Sequence, residues 1–174
     1  MTGKRPRPPL TEETLREMAL RHVGRFATSR GKLLDYLHRK IRERGWEGEA
    51  AAAPEALVER LAELGYVDDR AYAAMKASSL SRRGYGARRV AETLRAAGIG
   101  EEEGAQAKAQ SEAEAWDAAD RFARRKRIGP YAAQAPDPKQ REKWIAAFLR
   151  AGHGMGVARR WVDARPGEVP ERDM

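Results

Sequence analysis

Two adjacent carboxylates, Asp68 and Asp69, form the sharpest chemical motif in this sequence of 174 residues. Paired carboxylates can hold a divalent cation, but such an ion needs about six oxygen ligands, and no other acidic residues cluster beside the pair. Both aspartates stand where a helical pattern begins. Asp68 is therefore expected to cap that helix and Asp69 to stabilise its positive first turn. Contact with a partner is the lesser alternative, and no metal site is expected.

Catalytic chemistry is not indicated elsewhere in the sequence. The chain has no cysteine, which excludes disulfides, thiolate nucleophiles and zinc–cysteine sites. His22, His38 and His153 lack the spacing of a zinc site or a catalytic dyad. The run from Gly152 to Gly156 precedes a helix but lacks the strand and the lysine of a phosphate-binding loop. We therefore expect no catalytic residue, no metal and no cofactor, and hence no enzyme.

Clusters of basic residues are the candidates for binding. Arginine contacts phosphates and carboxylates in a bidentate manner, and Tyr85, between two glycines, offers a ring on which a base or an arginine can stack. Cations at helix C-termini are also favoured by the helix dipole alone, and charge runs are often solvated faces. The candidate binding residues are Arg82, Arg83, Tyr85, Arg88, Arg89, Arg124, Arg125, Lys126, Arg127, Arg159 and Arg160.

The elements that must position these residues are helices. The chain contains 32 alanines and 26 arginines but only 8 lysines, and alanine, leucine, arginine and glutamate favour helices over strands. The net charge of +8 points to a polyanion or an acidic protein surface as the partner. No apolar run approaches the roughly 20 residues of a membrane span, so no membrane partner is expected.

Helical periodicity and glycine positions divide the chain into segments. Shifts of 53 and then 54 residues align Gly45 with Gly98 and Gly152, and the first shift also aligns Gly31 with Gly84, which predicts three related helical repeats. The predicted segments are a disordered basic arm at 1–9, a first repeat at 10–47, a flexible connection at 48–54, a central three-helix repeat at 54–100, a third repeat at 101–165 and a disordered tail at 166–174.

Besides Asp68, two residues are predicted to cap helices, Thr11 and Asp137. Leu10, directly before Thr11, is expected to pack on Leu15 as a hydrophobic staple.

Three further local patterns predict helix starts and buried faces. Ser111-Glu112-Ala113-Glu114 has the form of a capping box, which predicts that a new helix begins there. Apolar periodicity places Phe26 on the buried stripe of the first helix and Leu64 on that of the third. Four aromatic residues at helical spacing are expected to pack in a core rather than to form exposed platforms: Trp116, Trp144, Phe148 and Trp161.

Two stretches of the sequence carry a family resemblance. They are Leu61-x-x-Leu64-Gly65-Tyr66-Val67-Asp68-Asp69-x-x-Tyr72-Ala73 and Arg82-Arg83-Gly84-Tyr85-Gly86-x-Arg88-Arg89-Val90-x-x-x-Leu94-x-x-x-Gly98-Ile99. Their spacing, the paired aspartates and the terminal Gly-Ile resemble the central signature of the RecX regulatory proteins, while the flanking thirds match more loosely. The signature residues are Gly65, Val67, Asp68, Asp69, Tyr72, Gly84 and Gly98.

This resemblance implies an all-α protein, built as an elongated, curved array of tandem three-helix repeats with about eight to nine short helices. It implies a non-enzymatic regulator without a cofactor that binds a RecA-type recombinase and its filament on single-stranded DNA. Such a regulator modulates, and usually inhibits, ATP hydrolysis and strand exchange in recombination and DNA repair. It further implies a cytoplasmic protein connected with the SOS response, and we expect a monomer.

Two other functions stay open from the residues alone. Helix pairs joined by short glycine turns also occur in helix-turn-helix modules, which would bind duplex DNA without a recombinase. A helical scaffold for an acidic protein partner would equally suit the positive charge. Binding that requires the recombinase would indicate the recombinase regulator, whereas tight duplex binding without it would indicate the helix-turn-helix module. A complex that forms independently of phosphate would indicate the scaffold for an acidic protein.

Overall fold

The structure, a computed structural model, describes residues 7–172, and the regular secondary structure in this range is helical. An isolated parallel bridge joins Leu10 to Trp46, and no strand is present among these residues. The predicted all-α class is therefore confirmed. No helix in this range is long and apolar enough to cross a membrane. The helices are α1 (Glu12–Val23), α2 (Arg30–Arg44), α3 (Pro54–Glu63), α4 (Asp69–Arg82), α5 (Ala87–Ala96), α6 (Glu101–Ala113), α7 (Ala115–Lys126), α8 (Pro138–Arg150) and α9 (Met155–Val162).

Local hydrogen bonds begin several helices where the sequence predicts. The side chains of Thr11, Asp68 and Asp137 each accept a hydrogen bond from the backbone N–H three residues later, at 3.3, 2.9 and 2.7 Å. These bonds satisfy donors that the first turn of a helix leaves without an intrahelical partner. The predicted caps of α1, α4 and α8 are confirmed.

Helix ends follow the repeat of glycines. Helices α2, α5 and α8 each run into a glycine with positive φ, a conformation that glycine adopts without steric cost. These residues are Gly45, Gly98 and Gly152, with φ of 81°, 70° and 90°.

The predicted pairing of Gly31 with Gly84 is wrong. Gly31 lies in the first turn of α2, whereas Gly84 lies in the turn before α5 with φ of 80°. Gly86 shares one feature with Gly31, because each lies against a helix-ending glycine, although Gly31 is the second residue of α2 and Gly86 directly precedes α5. A Cβ on Gly31 would lie 2.9 Å from the Cα of Gly98, and one on Gly86 would lie 2.5 Å from the carbonyl carbon of Gly152. Each helix start therefore needs a glycine for this close approach.

The described chain forms two compact units. Unit 1 contains residues 7–72 and 97–99, and unit 2 contains residues 73–96 and 100–172. Helices α1, α2 and α3 surround the core of unit 1, in which Leu10 and Leu15 flank the Thr11 cap as the predicted staple requires. The core of unit 1 consists of Leu10, Leu15, Ala19, Leu33, Leu37, Val58, Leu61 and Val67.

Aromatic residues dominate the core of unit 2. The rings of Phe122 and Phe148 meet edge to face with centroids 4.8 Å apart, and Trp161 is fully buried. Trp116 and Trp144 pack against this core with part of their surface exposed, so the predicted core packing of the four aromatic residues is confirmed. The buried residues are Ala119, Phe122, Ala123, Ile128, Phe148, Ala151, Ala158, Trp161 and Val162.

Two local predictions are wrong. Ser111 does not begin a helix, because it lies within α6 and its hydroxyl donates to the backbone oxygen of Lys108 at 2.8 Å. A serine in a capping-box pattern can thus bond backward within an uninterrupted helix. Phe26 and Leu64 are 59% and 53% exposed rather than buried, since α1 and α3 end before these positions.

The structure describes only part of each end of the chain. Residues 1–6 and 173–174, parts of the predicted arm and tail, lie outside the described residues. The described part of the tail makes defined contacts where the sequence predicts disorder. The backbone N–H of Gly167 donates to the oxygen of Pro130 at 2.9 Å, and Arg172 donates to the oxygen of Ala113 at 3.0 Å. These bonds hold the tail against unit 2.

Candidate nucleic-acid interface

The turn between α4 and α5 carries the first group of predicted binding residues and is built on glycine. A Cβ on Gly84 would lie 2.8 Å from the backbone nitrogen of Phe122, so the turn lies directly against α7. His153 secures the same turn, because its Nε2 lies 2.9 Å from the backbone oxygen of Gly84. Burial lowers the pKa of His153, so the imidazole is neutral at pH 7 and donates through Nε2.

The N-terminus of α5 is fixed by the end of α8. The backbone N–H groups of Gly86 and Arg88 donate to the oxygens of Ala151 and Gly152 at 2.8 and 3.2 Å. Donors at a helix start and acceptors at a helix end are both without intrahelical partners, so each pair satisfies the other. This junction holds the turn in one position relative to the other elements of unit 2.

Tyr85 is the centre of a cation–aromatic cluster. The guanidinium carbons of Arg83 and Arg125 lie 5.2 and 5.7 Å from the centroid of its ring, within the range of a cation–π attraction. Arg125 also donates to the backbone oxygen of Arg83 at the end of α4. The Tyr85 cluster, defined as Arg83, Tyr85 and Arg125, therefore joins two predicted groups that are far apart in sequence.

Some predicted binding residues are already engaged within their own helices. Arg82 donates to the hydroxyl of Ser78 at 2.6 Å, and Arg89 lies 3.6 Å from a carboxylate oxygen of Glu92. Both are exposed pairs of low energy. These bonds can be exchanged for a ligand. The Glu92 carboxylate lowers the net positive charge at Arg89, whereas the neutral Ser78 hydroxyl leaves the charge of Arg82 unchanged.

Arg124 belongs to a separate polar group. It donates to the Tyr131 hydroxyl at 2.9 Å and lies 3.5 Å from Asp120, while the hydroxyl donates to Asp120 at 2.5 Å. Burial, together with the Asp120 carboxylate, raises the pKa of Tyr131. Arg124 is therefore oriented within the protein rather than towards a ligand.

Arg159 and Arg160 do not join the Tyr85 cluster. Arg160 lies over the ring of Trp116 at 5.1 Å and donates to the backbone oxygen of Glu171 at 2.6 Å. Arg159 points to solvent on α9. The predicted third basic group is thus divided between one structural and one exposed residue.

The cations that are left for a ligand form a shorter set than the sequence predicts. Among the described residues, these are the predicted binding residues outside the Tyr85 cluster whose side chains are exposed and have no bonded carboxylate or carbonyl partner. They are Arg88, Lys126, Arg127 and Arg159. Arg127 also adopts the left-handed conformation with φ of 54°, the only non-glycine residue within residues 7–172 to do so. It caps the end of α7, two residues after Arg125 of the Tyr85 cluster.

One participant was not predicted. Arg121 of α7 donates to the backbone oxygen of Ser81 at 3.3 Å, one turn before Arg125 makes the equivalent bond to Arg83. Both arginines thus satisfy carbonyl groups at the end of α4. The two arginines are four residues apart in the sequence, and this spacing places them on one face of a helix. That spacing is the signal by which Arg121 could have been predicted together with Arg125.

The signature aspartates serve unit 1. Asp68 caps α4, and Asp69 accepts a hydrogen bond from the backbone N–H of Arg30, the first residue of α2, at 2.9 Å. Asp69 is buried and links two helix starts, a role beyond the predicted dipole effect. No group of three or more potential metal ligands occurs among the described residues.

Comparisons with known proteins bear on the fold and the family of this chain. A family model described as RecX, second three-helix domain, matches residues 68–107. It spans α4, α5 and half of α6, whereas the predicted central repeat at 54–100 holds α3, α4 and α5. A crystal structure of regulatory protein RecX superimposes with a TM-score of 0.60 at 19% identity, covering 83% of this chain and 68% of that one.

Two curated relatives extend the match along the chain. Regulatory protein RecX of Agrobacterium fabrum (strain C58 / ATCC 33970) is 32% identical and covers 82% of this chain and 78% of its own length. Regulatory protein RecX of Myxococcus xanthus (strain DK1622) is 38% identical over 171 residues, which covers 94% of this chain and 91% of the relative. Given this identity over nearly the whole of both sequences, the chain belongs to the RecX family of regulatory proteins.

Proposed function

We propose that this protein is a non-enzymatic regulator that binds a RecA-type recombinase and its filament on single-stranded DNA. By binding, it inhibits ATP hydrolysis and strand exchange during recombination and DNA repair. It acts as a monomer in the cytoplasm. The observation that carries the proposal is the Tyr85 cluster, in which two exposed arginines lie against a half-buried tyrosine ring, with Arg88, Lys126 and Arg127 beside them in the sequence, in a chain of the RecX family.

The physical mechanism is the sum of weak contacts. Exposed arginines and lysines bind phosphate or carboxylate groups without a deep pocket. Several such contacts on one chain raise the effective concentration of each for its own partner, so the chain can hold neighbouring recombinase subunits together. A restrained filament releases and adds subunits more slowly, and this lowers its turnover of ATP.

The test is the ATPase activity of RecA on single-stranded DNA, titrated with this protein at about 50 and 200 mM salt. We expect inhibition that weakens steeply with salt, because counterions compete for phosphate. A variant with Arg88, Lys126 and Arg127 changed to Glu should inhibit at least about tenfold less well.

The matched control changes three exposed cations of α8 in the same unit, Lys139, Lys143 and Arg150, to Glu. The charge change is identical, so equal loss of inhibition in both variants would assign the effect to net charge and not to the cations that flank the Tyr85 cluster. Absence of any inhibition by the unmodified protein, with tight duplex binding in its place, would favour the recombinase-independent DNA-binding module.

A further inference from the structure

A second aromatic group is exposed on unit 1, where the sequence patterns predicted only a buried stripe. The rings of His22 and Tyr36 stack with centroids 4.2 Å apart and planes inclined by 21°. Phe26 continues the group, with its centroid 5.2 Å from that of His22. These three rings, which come from α1, the turn after it and α2, define the Phe26 platform.

The outer ring of this platform is not part of a core. Phe26 is 59% exposed, the largest exposed fraction among the large apolar side chains of residues 7–172. Its backbone is nevertheless fixed, because its N–H donates to the oxygen of His22 at 3.0 Å, and its ring lies against the His22 ring. A ring that is held in place and left uncovered is suited to stack on a planar ligand.

Cations surround the platform. The guanidinium of Arg39 and the ammonium of Lys40 lie 5.6 and 5.8 Å from the ring of Tyr36. Glu43 partly neutralises them, at 3.6 Å from Arg39 and 2.5 Å from Lys40. The carboxylate is shared between two cations, so this side of the platform stays positive.

Other cations at the platform have no such partner. Arg25 precedes Phe26 directly, and Lys32 lies one helical turn before Tyr36 on the same face of α2. Both are exposed, and neither pairs with a carboxylate among the described residues. Residues 21–44 hold eight arginines and lysines against two carboxylates, so this segment supplies +6 of the chain's net charge of +8. The segment that contains the platform is therefore strongly basic.

The central ring is neutral under ordinary conditions. Burial, assisted by the nearby Arg39, lowers the pKa of His22. A neutral imidazole stacks on Tyr36 without repelling the neighbouring cations, so the three rings form a continuous apolar surface with a positive border. Such a surface differs from a site for a small anion, which would have no use for an exposed phenyl ring.

We propose that the Phe26 platform binds single-stranded nucleic acid, with a base stacked on Phe26 and backbone phosphates paired with Arg25 and Lys32. An acidic protein surface would satisfy the cations but not the ring, and duplex DNA keeps its bases stacked within the helix. The site lies in unit 1, separate in sequence from the Tyr85 cluster. This inference rests on the proposed function in one respect only, because both assign single-stranded nucleic acid as a ligand.

The test measures binding of fluorescent oligothymidylate to the full chain by fluorescence anisotropy, without recombinase. Phe26→Ala should weaken binding about tenfold, the lower end of the effect of removing one stacked base, and Phe26→Tyr should restore it. Tyr66→Ala is the matched control, because Tyr66 is an aromatic residue of the same unit with 56% exposure. It should bind like the unmodified protein.

The phosphate contacts have their own readout. Arg25→Gln should reduce the slope of log affinity against log salt by about one, whereas Arg60→Gln, an exposed arginine of α3 in the same unit, should not. Polyglutamate serves as a competitor without bases. Loss of oligothymidylate binding in Phe26→Ala with unchanged polyglutamate binding would support stacking, and equal loss for both polymers would overturn it.

A direct probe separates this proposal from the proposed function. Oligothymidylate that carries photoreactive 5-iododeoxyuridine should cross-link to the peptide that contains Phe26. No binding by the unmodified protein, or Phe26→Ala binding at full affinity, would overturn the platform proposal, and RecA inhibition could still stand. Conversely, absence of RecA inhibition by a protein that cross-links at Phe26 would reject the proposed function alone.

Discussion

Asp69 is expected to be the more important of the two signature aspartates for stability, although both stand at the start of α4. Its carboxylate accepts a hydrogen bond from the backbone of Arg30, 39 residues away, and is only 8% exposed. A hydrogen bond to a charged group contributes about 1.5–3 kcal/mol, and the charge at helix starts adds about 0.3–1 kcal/mol. Asp69→Ala should therefore lower the free energy of unfolding by about 2–3 kcal/mol.

The neighbouring aspartate supplies the comparison. Asp68 is exposed and caps only its own helix, so Asp68→Ala should cost about 1 kcal/mol. Asp69→Asn retains an oxygen acceptor and should fall between the two alanine variants. Urea titration followed by far-UV circular dichroism gives the order, and the melting temperature should fall by about 5–10 °C for Asp69→Ala. Equal losses in the two alanine variants would refute the link between α4 and α2.

Three further variants test other parts of the structure. Gly86→Ala should lower stability by at least about 2 kcal/mol in thermal melts, since its Cβ would lie 2.5 Å from the carbonyl carbon of Gly152. Gly154→Ala has open space around the added Cβ and changes only the N-cap of α9, so it should cost about 1 kcal/mol or less. In the folded protein, the pKa of His153 lies below its value in the unfolded chain. The stabilising contribution of His153 is therefore complete above pH 6.5 and is lost as the pH falls. His153→Gln should make the free energy of unfolding decline less steeply between about pH 7 and 5. Arg127→Gly should stabilise the protein by up to about 1 kcal/mol, because glycine adopts the left-handed conformation of this position without strain. The same variant should weaken RecA inhibition if Arg127 binds phosphate. Unchanged inhibition would show that Arg127 is not part of the interface.

Helix starts and ends were largely predictable from the sequence. Thr11, Asp68 and Asp137 cap helices through bonds to residues only three positions away, and Gly45 ends α2 because glycine tolerates positive φ. Such signals are contained within one helical turn. The pattern at Ser111 misled for the same reason, since its hydroxyl found a local acceptor inside α6 instead of a free N–H.

The candidate site was predictable as a set of residues but not as a geometry. The sequence identified Tyr85 and its neighbouring arginines, and the structure brings Arg125 of α7 to them from 40 positions further along the chain. It also shows that Arg124 and Arg160 are held by internal contacts. Runs of similar arginines look equivalent in a sequence, because their differences arise from partners that lie on other helices.

Composition and short-range hydrogen bonding were thus sufficient for the all-α class and most helix limits, since a helix is stabilised by bonds between residues at most four positions apart. The family followed from the resemblance of the signature residues between Leu61 and Ile99. Tertiary packing alone decided which arginines and lysines have no internal partner. It also decided that the Asp69 carboxylate accepts a hydrogen bond from the backbone of α2, and that Phe26 stays exposed in the same aromatic group as Tyr36. These features depend on which backbone atoms approach within bonding distance across the core. Gly86 permits such an approach because it has no side chain. The packing of whole helices, and not any residue beside Gly86 in the sequence, determines that it meets Gly152.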